Sequence, residues 1–166
     1  MGRRIDFHHD PDAPKANSLV PSVNVIVTND AGDLLMIHRT DNDNWAVPGG
    51  AIDLGESLLQ AAVRETLEET GITCEITGLS GTYTDPGHVI LYTSNGEVRQ
   101  EFSIVLIARA VSGTPTPSSE SREVRWVLVI RCSASTWTGR CACGSSTTWP
   151  VLACRILADR QQHRHS

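Results

Sequence analysis

The chain has 166 residues, a net charge of −5, 40% hydrophobic residues and 20% charged residues. That suits one soluble globular domain with its own core, disfavours non-specific nucleic-acid binding through a basic surface, and leaves no apolar run near the ~20 residues of a membrane helix. Met1-Gly2-Arg3-Arg4 lacks the apolar stretch of a signal peptide, so the cytoplasm is the expected compartment, and no disulfide framework is expected of the five cysteines there.

Residues 1–18 are polar, contain Pro11 and Pro14, and read as a flexible arm. His8-His9 reads as a solvated pair, because no further ligand sits at a useful spacing in the sequence. Val20 to Val27 alternates as a strand, with Val23, Val25 and Val27 on one face. Asn29-Asp30-Ala31-Gly32 is a turn, and Leu34 to Arg39 a second strand, plausibly its hairpin partner. Arg39 ends that strand as a candidate for a phosphate contact or, equally, a surface ion pair. Asp41 to Asn44 lacks the glycine and distant glutamate of a calcium loop. Trp45 then opens a Pro-Gly-Gly turn (Pro48, Gly49, Gly50) that permits close backbone approach. Trp45 is expected to pack on that loop, with stacking on a base as the alternative.

The next stretch is an acidic helix. Ser57 and Gln60 have capping-box spacing, and Gly71 stands where a left-handed C-cap is wanted. Leu59, Ala62, Val63 and Thr66 form the expected buried stripe. Glu65, Glu68 and Glu69 are three and four residues apart, which puts their carboxylates on one helix face, and Glu56 can fold back toward it. Such like charge repels itself unless neutralised. Three or four hard oxygen ligands without Cys or His suit Mg²⁺ (or Mn²⁺), which leaves room for a substrate phosphate. On spacing alone, a solvated acidic face explains the same run.

The joint pattern separates these readings. Gly50, Glu56, Arg64, Glu65, Glu68, Glu69, Gly71 and Ile72 stand at the offsets G-x5-E-x7-R-E-U-x-E-E-x-G-U. This resembles the box of the Nudix (MutT-like) hydrolases. Thr66 replaces the first aliphatic residue, and can sit in the stripe if its hydroxyl bonds a carbonyl one turn back. The resemblance extends from roughly Val20 to Val127. It implies an α/β fold, an α/β/α sandwich around a mixed sheet over residues 19–127. It also implies hydrolysis of a pyrophosphate bond in a nucleoside diphosphate linked to a moiety X, such as ADP-ribose or a nucleoside triphosphate. By resemblance, Gly50 (through its carbonyl), Glu56, Glu65, Glu68 and Glu69 are the metal set, Glu68 or Glu69 is the base, and Arg64 orients the carboxylates. Arg39, Trp45 and Glu120 are substrate-side candidates, and Glu101 joins Glu120 as a candidate acid from a later segment. The partner implied is a nucleotide-derived small molecule, with a homodimer compatible. A non-catalytic nucleotide-binding module, or a variant inactivated by an altered C-terminus, is the alternative.

Beyond the helix, short strands are expected at Thr73 to Ile76 and Gly81 to Thr84, and at His88 to Tyr92, followed by an Asn95-Gly96 turn and one long strand from Val98 to Ala110. His88 near a turn is a candidate base, although a lone histidine is more often structural. Glu123 to Val127 is expected to close the sheet. From Val127 onward periodicity fails. Five arginines face a single acid, Asp159, for a net +4 against −9 in the first 126 residues. Residues 128–166 therefore read as an atypical tail, expected to arise from a frameshift that resequencing the gene would reveal.

Overall fold

Alternating valines build the centre of the molecule. A computed structural model describes residues 3–128. Strand β3 (Ser22–Thr28) buries Val23, Val25 and Val27 completely on one face, as the period-two pattern requires. It pairs in parallel with β10 (Ser103–Gly113) and meets β4 (Leu34–Arg39) through the turn at Gly32, where φ is 86°. Antiparallel neighbours β7 (Ile72–Tyr83) and β11 (Ser121–Val127) complete the order β11-β4-β3-β10-β7. Two short strands attach at the side: β5 (Trp45–Ala46) on β4, and β6 (Gly49–Ala51) on β3. A second sheet has the order β1-β8-β9-β2, from β1 (Arg4–His8), β8 (His88–Tyr92), β9 (Glu97–Gln100) and β2 (Ser18–Leu19).

Helix α1 (Leu58–Thr70) packs on the larger sheet across β3, β6 and β7. Its ends are those expected. Ser57 Oγ accepts from the Gln60 amide, the Gln60 side chain reaches back to the Ser57 amide at 2.9 Å, and Gly71 closes the helix at φ 71°. Ala61 and Ala62 have no exposed surface, which lets the helix backbone lie close to the sheet. A larger side chain there would overpack the contact at a cost of about 1–3 kcal/mol. Thr66 is fully buried, and its hydroxyl donates to the Ala62 carbonyl at 2.8 Å, so the one departure from the box is satisfied internally. Among the described residues no helix is long and apolar enough to cross a membrane.

Several expectations need correction. The arm read as flexible carries β1, which pairs with β8 from Arg4↔Tyr92 to His8↔His88. Pro11 and Pro14 lie after this strand and do not interrupt it, and its partner is some eighty residues away. The two short strands after the helix are one, β7, whose register against β10 is broken by bulges that absorb the irregularity near Gly78 and Gly81. The single long strand from Val98 is two: β9 ends at Gln100 in the small sheet, and β10 starts at Ser103 in the large one. Leu59 is 53% exposed, because the buried stripe runs instead through Ala61, Ala62, Thr66, Glu69 and Thr70. The second helical layer of the expected sandwich and the tail read as frameshifted lie outside the described residues, apart from Leu128.

Candidate active site

The turn before α1 and the acidic face of α1 meet at Gly49 and Gly50. β6 hydrogen-bonds to β3 with Val23↔Gly50 and Asn24↔Gly49, so both glycines are fixed by the core strand. A Cβ on Gly50 would overlap the Glu65 carboxylate, and one on Gly49 would overlap the Val23 carbonyl and the Asn24 backbone. Only glycine allows this approach. The Gly49 amide donates to Glu69 Oε2 at 2.8 Å. Glu69 is 3% exposed, and this burial raises its pKa to about 7. The Gly49 hydrogen bond and Arg39 pull the value down, while Glu65 and Glu120 add to the rise.

Arg64 is the hub of the remaining carboxylates. It forms a bidentate pair with Glu56, Nε to Oε1 at 2.6 Å and Nη2 to Oε2 at 2.8 Å. Nη1 reaches Glu65 at 2.9 Å and Glu68 at 3.1 Å, and Nη2 donates to the Ala51 carbonyl at 3.3 Å. Its hydrogen bond to Glu56, supported by those to Glu65 and Glu68, keeps the guanidinium charged. Glu65 sits inside this group with its pKa raised by burial, against the lowering effect of Arg64. Glu68 is the exposed member, with 60% of its side chain accessible.

The glutamates share one face, yet their oxygens are not gathered. Among the described residues the sole three-residue group of His, Cys, Asp and Glu with ligand atoms all within 4.8 Å is Asp6, His8 and His88. Arg64 takes the neutralising place on the acidic face here. The donors nevertheless fit a hard divalent ion: all are oxygens, Glu65 and Glu69 abut Gly50 and Gly49, and Glu68 is exposed enough to swing inward.

The substrate-side candidates are placed as follows. Arg39 is paired bidentately to Asp41 at 2.9 and 2.6 Å, and its charge is felt at Glu69. Trp45 stacks on His38 with ring centroids 4.9 Å apart and carries the Arg125 guanidinium 4.1 Å from its centroid. Glu120 is held by backbone, its carbonyl accepting from the Thr40 amide at 3.0 Å, and its charge raises the pKa of both Glu65 and Glu69. Glu101 is elsewhere: it pairs with His88 Nδ1 at 3.0 Å beside the small sheet.

With the geometry in place, a family model described as NUDIX domain matches residues 18–135. The chain belongs to the Nudix family. Family members generally use divalent metals. A MutT-like protein of Streptomyces ambofaciens is 36% identical over 106 residues, which are 64% of this chain and 62% of that protein. An ADP-ribose pyrophosphatase of Methanocaldococcus jannaschii is 32% identical over 101 residues, 56% of this chain and 53% of that one. The chain thus spans between half and two thirds of the length of these Nudix relatives. The crystal structure of a MutT protein from Methanosarcina mazei Go1 is similar in fold, with a TM-score of 0.57 at 20% identity over 93% of this chain and all of that one.

The sequence reading missed one cluster. Asp6 and His8 project from the same face of β1, and the β1–β8 register sets His88 opposite His8. His88 Nε2 lies 3.3 Å from Asp6 Oδ1, and the His8 and His88 rings stack with centroids 4.0 Å apart. Burial disfavours the His88 imidazolium, but hydrogen bonds to Asp6 and Glu101 outweigh it and raise the pKa to about 9. The local signal was the Asp6-x-His8 alternation. It stayed unread because its completing residue is in a strand far along the chain.

Proposed function

We propose that this domain hydrolyses a pyrophosphate bond in a nucleoside diphosphate linked to a second moiety, with Mg²⁺ or Mn²⁺ as cofactor. The observation that carries the reading is Glu69, buried under the Gly49 amide on the helix face shared with Glu65 and Glu68. Glu65, Glu68, Glu69 and the Gly50 carbonyl would hold the ion. When bound it would supply charge that offsets the repulsion between a polyanionic diphosphate and an attacking oxygen. The protein's own groups do the rest. Arg64 gathers Glu56, Glu65 and Glu68 and sets their orientation. A carboxylate of this face takes a proton from water as its oxygen bonds to phosphorus, and the anhydride P–O bond breaks with its electrons on the leaving phosphate. Glu68 and Glu69 are the candidates for that role, since both lie on this face. Arg39 and Glu120, whose charges both act on Glu69, are the candidates for the substrate side.

A second reading, a nucleotide-binding domain without turnover, is favoured by Arg64 already neutralising Glu56, Glu65 and Glu68. One assay separates the two. The full chain is incubated with ADP-ribose, oxidised nucleoside triphosphates and dinucleoside polyphosphates, with Mg²⁺ or Mn²⁺, and product is measured beside ligand binding. Metal-dependent product with at least one class supports hydrolysis. Binding without product, at any ion concentration, supports the module and removes the hydrolase reading.

A further inference from the structure

We propose that Asp6, His8 and His88 form a second divalent-metal site of the imidazole-preferring class, Zn²⁺ foremost, that clips strand β1 onto β8. It is separate from the acidic face of α1 and has different chemistry. Two imidazoles and one carboxylate offer ligand atoms all within 4.8 Å of one another. Imidazole donors favour Zn²⁺ and similar ions over Mg²⁺, and three protein ligands leave a fourth tetrahedral position for water.

The surroundings are those of a metal-binding histidine. His88 Nδ1 is paired with Glu101 Oε2 at 3.0 Å, which leaves Nε2 directed at Asp6 Oδ1. A carboxylate on the far nitrogen is the usual partner that fixes the ring and strengthens its donor atom. The Glu101 backbone is anchored too, its amide donating to the His88 carbonyl at 3.0 Å. His8 is exposed, so its ring can be reached from solvent. Arg4 competes for Asp6, with Nε 3.0 Å from Oδ2 and Nη2 2.7 Å from Oδ1. It keeps a contact on Oδ2 when Oδ1 turns to an ion.

The consequence is mechanical. β1 has five residues and, among the described residues, lies at the edge of its sheet, paired only to β8. An ion bound by two β1 side chains and one β8 side chain cross-links the strands.

The test is a Zn²⁺ titration of the full chain by calorimetry, with excess Mg²⁺ to occupy the acidic face and the cysteines kept reduced. Wild type is compared with His8→Ala, Asp6→Asn and Glu101→Gln. The expected result is one Zn²⁺ equivalent fewer for His8→Ala and Asp6→Asn, and about 10- to 100-fold weaker binding at that site for Glu101→Gln. Zn²⁺ held elsewhere, by the cysteines for example, is unchanged across the series. Equal stoichiometry and affinity in all four proteins overturns the proposal and leaves His88 as an ion-pair hub. Hydrogen exchange on the wild type gives an answer independent of variant folding. Zn²⁺ should slow exchange in residues 4–8 and 88–92, and an unchanged rate there also overturns the site.

Discussion

Two regions of this protein solve the same electrostatic problem differently. On the helix, Arg64 gathers Glu56, Glu65 and Glu68; in the small sheet, His88 gathers Asp6 and Glu101. The first cation is permanent and the second is titratable. A permanent hub holds carboxylates in place at any physiological pH. A titratable hub can give up its proton and become a ligand. The difference teaches that a fixed cation suits the proposed phosphate site, whereas a titratable one suits the proposed clip between strands.

The largest expected effect tests the role of the helix face. Glu69→Gln should lower metal-dependent turnover at least a hundredfold, within the range general-base loss allows, while the fold survives. Near-normal turnover would remove Glu69 from the chemistry. Gly50→Ala should cost about tenfold or more, because the new methyl group displaces the Glu65 carboxylate by a distance that matters for positioning. Gly49→Ala instead meets backbone at Val23 and Asn24, so its main effect should be a stability loss of about 1–3 kcal/mol in thermal melts.

Stability against pH in chelator sharpens the contrast further. Glu69 is raised from 4.5 to about 7, so its contribution is full below pH 4.5 and is lost as pH rises through 7. His88 is raised from 6.5 to about 9, so its contribution is full below pH 6.5 and is lost as pH rises through 9. Each loss amounts to about 3 kcal/mol at most, from the free-energy equivalent of the shift. Denaturant titrations from pH 4 to 10 should show both windows. Glu69→Gln should erase the lower one and His88→Gln the upper one; a window that survives its own substitution would mean that another group carries it. The smallest effect is expected of Arg64→Lys, which keeps the charge but loses the fork on Glu56, and should cost about 1 kcal/mol in melts.

The helix cluster was legible in the sequence because every part of it is local. Cap, spacing and glycine turn all lie between Gly49 and Ile72, and helical periodicity alone brings Glu65, Glu68 and Glu69 to one face. That Arg64 orients the carboxylates was implied by the family resemblance and not by spacing, since it depends on rotamers. Glu69 was read with Glu65 and Glu68 as part of one acidic face, and it belongs to the buried stripe. The small sheet was legible only in part, for the opposite reason: β8 was read as a strand from His88 to Tyr92, but its pairing with β1 was not. β1 pairs with β8 across the intervening chain, and nothing near Asp6 or His8 announces His88. Glu101 was misplaced because the change of sheet between Gln100 and Ser103 carries no glycine or proline to mark it.

One arrangement in the large sheet reaches beyond the site. β3 is bonded to β10 along one edge, while its other edge is shared between β6 at Ser22 to Asn24 and β4 at Thr28. The Val25 amide also accepts no slack, donating to the Pro48 carbonyl at 2.9 Å. The central strand is therefore the ruler against which the Gly49–Gly50 turn is measured. Repacking Val23, Val25 or their β10 neighbours would shift the turn along with the ruler, so core variants of this protein should lose catalytic alignment before they lose their melting temperature.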